Sequence, residues 1–150
     1  MASERGIKMS ITFTNTIMVE DYNTLIKAVG WGTRAPERVR LAIERSDFFI
    51  AAQINNQTIG MARVVQDGLQ ALVMDVVVLP AYQGQGIGKT LMLHVMEYLE
   101  TASQSGGLFV NLMSAVDRVG FYEQFGFEIR PNEKRGPGMT KWISGEDTTI

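Results

Sequence analysis

The sequence predicts a single α/β-layered domain with a mixed, mostly antiparallel twisted sheet flanked by helices. Three observations carry this. The chain has 150 residues, the usual size of one domain. Its apolar spacing alternates between strand-like and helix-like periods in the order β-αα-βββ-αβ-αββ, a layered arrangement. A glycine loop, Gln83-Gly84-Gln85-Gly86-Ile87-Gly88, separates an apolar run from a helical segment. No repeat, low-complexity stretch or linker divides residues 1–150.

The elements follow in order. Ile11-Thr12-Phe13-Thr14 alternates and reads as a first strand. Asp21 or Asn23 is positioned to cap a helix that carries Leu25, Ile26 and Val29 and ends near Gly30. Residues 31–36 read as a loop, and Pro36 suits the first turn of a second helix running to about Ser46. Phe48-Phe49-Ile50-Ala51-Ala52-Gln53 and residues 58–65 read as strands joined by an Asn55-Asn56 turn. Asp67-Gly68 marks the next turn, leading into a strand over 71–79. A helix is expected over 87–102, a strand over 108–112 and a helix over 115–125. Phe127-Glu128-Ile129 and residues 139–143 are expected to close the sheet as two strands.

Composition removes several function classes. Fourteen basic against sixteen acidic residues give a net charge of −2, with no basic run, which argues against nucleic acid as a partner. The chain has no cysteine, so it has no disulfides, no cysteine metal site and no acyl-cysteine intermediate. Its one histidine, His94, cannot by itself form a histidine-rich metal site and reads as a partly buried structural residue, with a proton relay as the alternative. No apolar stretch is long enough to span a membrane, and Met1-Ala2-Ser3-Glu4-Arg5-Gly6 leads into no apolar signal region, so a cytoplasmic protein is expected.

Strand, glycine loop and helix together cradle a pyrophosphate, because glycine permits left-handed backbone and successive amides converge at a helix N-terminus. The Walker A spacing fails: Gly88-Lys89-Thr90 supplies its ending, but Gln83 stands where its first glycine belongs. The dinucleotide fingerprint fails as well, since the glycines fall at 84, 86 and 88 with no acidic residue near 108–112. The pattern that fits is Gln/Arg-x-x-Gly-x-Gly/Ala.

With the preceding Val76-Val77-Val78-Leu79-Pro80-Ala81-Tyr82, this loop resembles the acetyl-CoA loop of the GNAT superfamily of N-acetyltransferases. Phe121-Tyr122-Glu123-Gln124-Phe125-Gly126-Phe127 is similar to that family's F-Y-x-x-x-G-F segment. Two motifs in the right order are far more specific than one, and the resemblance covers about 48–142. It implies a GNAT-like fold and direct transfer of an acetyl group from acetyl-CoA to a primary amine, with no metal. The look of residues 59–63 and 82–86 is similar to small bacterial and plant arylalkylamine-type members, so a small-molecule amine is the first expectation. A protein or peptide amine, or a non-catalytic acyl-CoA sensor, are the alternatives. The expected partners are that amine and a second copy as a homodimer, with neither nucleic acid nor membrane.

The loop gives candidate donor contacts at Gln83, Gly84, Gln85, Gly86, Ile87, Gly88, Lys89 and Thr90. Backbone groups of Val76, Val77 and Val78 are expected to pair with the pantetheine amides, as a peptide-like chain pairs with a strand edge. The resemblance places Tyr122 near the thioester sulfur, where a phenol with pKa about 10 is a protonated general acid; its packing among Phe121, Phe125 and Phe127 is the alternative. Many members carry an asparagine seven residues before that tyrosine; Ala115 stands there, and Asn111 farther upstream is the candidate replacement. Asp75 is the sole charge within an apolar strand, and such a group must be paired, hydrogen-bonded or shifted in pKa. Three roles are open to it: base, binder of the cationic amine, or structural tether. Strand alternation puts Asp75 with Val77 on one face and Met74, Val76 and Val78 on the other. Trp31, on the first helix–helix loop, is the candidate acceptor contact, with packing as the alternative.

Overall fold

The computed structural model describes residues 10–145. Five strands lie side by side in chain order: β1 (Thr12–Thr14), β2 (Phe48–Ile54), β3 (Gln57–Gln66), β4 (Gln70–Val78) and β5 (Phe109–Leu112). The first four pair antiparallel, and β5 joins β4 in parallel. Helices α1 (Val19–Ala28) and α2 (Pro36–Arg45) cover one face; α3 (Ile87–Ala102) and the short α4 (Val119–Glu123) cover the other.

Local chemistry accounts for most of the turns. Asn55 and Asn56 both sit in the left-handed region, at φ 49° and 64°, as a two-residue hairpin with the right twist requires. Asp67 Oδ1 accepts from the amides of Leu69 and Gln70, which closes the β3–β4 turn. The α3 residues Leu91, Met92, Val95 and Leu99 are buried against the sheet, the spacing of a core-facing stripe. His94 is half-buried and lies 5.1 Å from the Phe13 ring, a packing role.

Four expectations need correction. Helix α1 starts at Val19, with Met18 before it and no side-chain cap. Asp21 and Asn23 are unavailable as caps because each serves another element: Asp21 Oδ2 accepts from the Thr58 hydroxyl at 2.9 Å, and Asn23 holds Arg34. Helix α4 is only a fragment of the expected 115–125 helix. Asp117 takes φ 64°, which no α-helix accommodates, and the chain becomes helical only after it.

The two closing strands are absent among the described residues, and the sheet ends at β5. Pro131 and Pro137 have no N–H to give to a ladder. Asn132 Oδ1 instead accepts from the amides of Lys134 and Arg135, a local turn that competes with strand pairing.

The last correction concerns β4. Arg63 faces Met74 and Met61 faces Val77, so Ala62 alone opposes Asp75 and Val76. This is a β-bulge, and Asp75 in it has φ 54°. The bulge breaks the alternation. Ala71 and Val73 pack toward α3, and so do Val76 and Val78; Val77 packs toward α1 and α2. Met74, opposite Arg63, therefore shares the face of Asp75 rather than that of Val76.

Gly60 on β3 has no room for a side chain. A Cβ there would stand 3.0 Å from the Val77 carbonyl oxygen and 3.1 Å from Leu91 Cδ1. Overpacking of this kind costs about 1–3 kcal/mol. Gly60→Ala is expected to lower the thermal midpoint by several degrees, and an unchanged melting curve would show that β3, β4 and α3 pack more loosely than described.

Candidate active site

Strands β4 and β5 separate after a short parallel run. Their pairing ends at Val73 opposite Leu112, while β4 continues to Val78. Beyond that point the β5-facing edge of β4 has no strand partner among the described residues, and its backbone groups border a cleft of about 660 Å³. The bulge at Asp75 lies at the start of this free edge. The cleft brings together Trp31, the strand 73–78, the glycine loop, Lys89, Arg118 and Tyr122.

The loop has the conformation its glycines permit. Gly84 and Gly86 take φ 78° and 83°, and among the described residues beyond the adjacent ones nothing lies within 4 Å of the position a Cβ would occupy. Gly86 caps α3 without any side-chain bond, and the first intrahelical bond here runs from the Thr90 amide to the Gly86 carbonyl. The amides before Thr90 therefore stand at the positive end of the helix dipole without an intrahelical acceptor. Gly88 differs from the other two. It is helical, and a Cβ on it would meet Phe121 Cζ at 3.5 Å and Val78 Cγ2 at 3.7 Å, which is ordinary packing.

Other expected contacts are placed elsewhere. The Thr90 hydroxyl donates to the Gly86 carbonyl at 3.1 Å and so serves the helix itself. Gln85 does not line the cleft. Asn111 borders a neighbouring cavity of about 800 Å³, next to Arg130, while Ala115 lines the cleft. The Val78 carbonyl already accepts from Gln83 Nε2 at 2.9 Å, so the free edge left for a ligand is centred on Val76 and its neighbours.

Tyr122 is nine-tenths buried and borders both cavities. Its ring meets Phe121 edge-on at 5.0 Å, and among the described residues nothing accepts from its hydroxyl. Burial raises its pKa, and the positive charge of Arg118 opposes that only in part. The phenol consequently stays protonated through the neutral range.

Asp75 is held rather than free. Tyr22 OH donates to its Oδ2 at 2.5 Å, and Arg63 Nε donates to the same oxygen at 2.6 Å. The Arg63 and Asp75 side chains are 13% and 17% exposed, so water screens the pair poorly. Burial and the adjacent carboxylate push the Tyr22 hydroxyl far above its ordinary pKa. Sequence reasoning missed Tyr22, Arg63 and Arg118. Arg63 had a visible signal, as the lone cation of the apolar strand β3. Tyr22 had none, because its contact crosses 53 residues.

The lining of this cleft has the chemistry to hold a pyrophosphate with a peptide-like arm. An uncapped helix N-terminus with open left-handed glycines suits a pyrophosphate, and Lys89 and Arg118 add positive charge. A free strand edge suits the amides of pantetheine. Among the described residues there is no cluster of metal-ligating side chains and no helix long and apolar enough to cross a membrane.

These features suit an acyl-CoA ligand. A family model for the acetyltransferase (GNAT) domain matches residues 44–129, and the chain belongs to the GNAT family of acetyltransferases. It is 30% identical over 128 residues to an uncharacterized N-acetyltransferase, ycf52, of Porphyra purpurea, covering 82% of this chain and 72% of that one. It is 33% identical over 119 residues to a rice serotonin N-acetyltransferase 2, with 76% and 58% covered, and 31% identical over 132 residues to a soybean histone acetyltransferase TAP1, with 79% and 55% covered. The SA2161 protein of Staphylococcus aureus superposes with a TM-score of 0.80 at 27% identity, over 89% of this chain and all of that one. The chain is thus an acetyltransferase rather than a non-catalytic sensor.

Proposed function

We propose that the protein moves the acetyl group of acetyl-CoA directly to a small-molecule primary amine. The observation that carries this is the cleft itself: an uncapped, glycine-opened helix terminus, a free β4 edge and a protonated Tyr122 along one wall. The neutral amine nitrogen attacks the thioester carbonyl, and the carbon–sulfur bond breaks. Tyr122 gives its proton to the departing sulfur and is reprotonated from solvent, which also takes the proton shed by the amine. Gly84, Gly86, Ile87, Gly88 and Lys89 hold the pyrophosphate, with Arg118 as a further cation. Trp31, 40% exposed on the cleft wall, meets the acceptor. The rice relative's name supports a small amine and the soybean relative's a protein amine; the indole wall favours the former.

The contacts of Asp75 support the tether among its three roles. Its charge is answered by Arg63, and its Oδ2 is occupied by two donors. No base is then required beyond solvent, and the amine must arrive deprotonated. Alkylammonium groups have a pKa near 10, so the rate is expected to rise with pH from neutrality. Tyr122, with its pKa raised by burial, keeps its proton over that range and sets no falling limb below the ordinary phenol value. Asp75→Asn should give a pH profile that superimposes on the wild type. A profile displaced toward higher pH would return the base role to Asp75.

A panel of alkyl, arylalkyl and sugar amines, beside a lysine peptide, tests the acceptor class through thiol release and product mass. Turnover of small amines well above that of the peptide is the expected outcome; the reverse order would assign a protein substrate.

A further inference from the structure

We infer that the start of α1 is the positioning element of the site, with Tyr22 setting the strand that meets the thioester and Asn23 setting the wall that meets the acceptor. The inference rests on the acetyl transfer proposed above and assigns roles to residues outside the cleft.

Three consecutive residues of α1 bind three different elements. Asp21 accepts from Thr58 on β3, a nearly fully buried threonine. Tyr22 donates to Asp75 on the β4 bulge. Asn23 pairs with the backbone of Arg34 in both directions: its Nδ2 donates to the Arg34 carbonyl, and its Oδ1 accepts from the Arg34 amide, each at 3.0 Å. Neighbours on a helix point about 100° apart, so one turn can address three directions without conflict. The buried Thr58 contact fixes the helix on the sheet, and the other two contacts transmit that position.

The Tyr22 contact acts on a conformation that needs holding. Asp75 has φ 54°, where a residue with a Cβ is strained. Its Oδ2 is gripped from two sides, by a tyrosine 6% exposed and by the guanidinium of Arg63. The bulge turns the Asp75–Val76 peptide out of register with β3, at the place where β4 loses its β5 partner and becomes cleft wall. Loss of one grip lets this peptide rotate, and the free edge then meets the thioester at the wrong angle.

The Asn23 contact acts on the acceptor side. The α1–α2 loop contains Gly30 and Gly32 at φ 82° and 71°, so its own backbone offers little stiffness. Asn23 clamps the loop at Arg34, three residues beyond Trp31, and Arg34 Nη1 reaches back to the Trp31 carbonyl at 3.4 Å. The indole that faces the acceptor is thus located by a residue it does not touch.

The two contacts separate in steady-state kinetics. Tyr22→Phe keeps the ring and removes the donor; kcat is expected to fall roughly tenfold, less than the ~10²-fold that a 1 Å misplacement costs, with both KM values within about twofold. Asn23→Ala is expected to raise the acceptor KM by a similar factor and leave kcat and the acetyl-CoA KM near wild type. Asp75→Asn, which accepts left-handed backbone and offers one oxygen to both donors, should retain kcat within about threefold, whereas Asp75→Ala should not. Carbon chemical shifts of Asp75 and Val76, which report φ, should move in Tyr22→Phe and stay in place in Asn23→Ala. Wild-type shifts at both residues in Tyr22→Phe, or a common loss of kcat and KM in both variants that tracks melting temperature, would overturn the inference. A wild-type protein that transfers acetyl to no amine would refute the proposed function, while the shifts would still decide the positioning.

Discussion

Tyr122→Phe is expected to lower turnover by about 10²–10⁴-fold, the contribution of a positioned general acid. The ring and its edge-on contacts with Phe121 and Phe127 survive the change, so folding and acetyl-CoA affinity should be nearly unaffected. The loss should shrink with thioesters whose thiols leave readily without a proton, because in the proposed reaction Tyr122 acts only on the departing sulfur. Turnover within a few-fold of wild type would make Tyr122 a packing residue of the aromatic cluster, and the sulfur would take its proton from water.

Gly86→Glu acts on the other half of the reaction. The site has φ 83°, so any side chain adds strain of about 1–2 kcal/mol, and the new carboxylate lies at the proposed pyrophosphate site. Like charges in contact cost several kcal/mol, which corresponds to at least about a hundredfold in affinity. Beyond its chain neighbours no described residue lies within 4 Å of the added Cβ, so the fold should persist. Calorimetry should detect little or no acetyl-CoA binding by a variant with a normal circular-dichroism spectrum. Wild-type affinity in a folded variant would move the pyrophosphate away from the loop. The equivalent change at Gly88 is less clean, since its side chain would press on Phe121 and Val78 as well.

The legibility of each feature in the sequence followed its range. Local rules placed the Asn55-Asn56 turn, the Pro36 start of α2 and all of α3, because turn chemistry, proline geometry and apolar spacing act over a few residues. The glycine loop was legible for the same reason. Helix α1 began earlier than its polar residues indicated, since Asp21 and Asn23 are spent on β3 and on the α1–α2 loop, and no local rule reveals a distant claimant. The expected closing strands were read from alternation alone, which does not register how Asn132, Pro131 and Pro137 redirect the backbone between them.

The site divided in the same way. Asp75 stood out as a charge in an apolar strand, and the sequence left its role open. The Arg63 and Tyr22 contacts narrow that role, and both depend on the β3–β4 register and on where α1 crosses the sheet. The bulge itself was invisible: strict alternation put Met74 with Val76, and one extra residue in the ladder reversed it. Asn111 was a reasonable substitute for the missing asparagine by residue type, but its place opposite Leu72 puts it beside the neighbouring cavity.

Direct transfer is the central claim, and a single turnover of acetyl-labelled acetyl-CoA with an accepted amine tests it most directly. With enzyme in excess and the reaction quenched through its course, the label should pass from acetyl-CoA to the N-acetyl product, one thiol released for each amide formed, with none on the protein. Label accumulating covalently on the protein before the product appears would contradict the account.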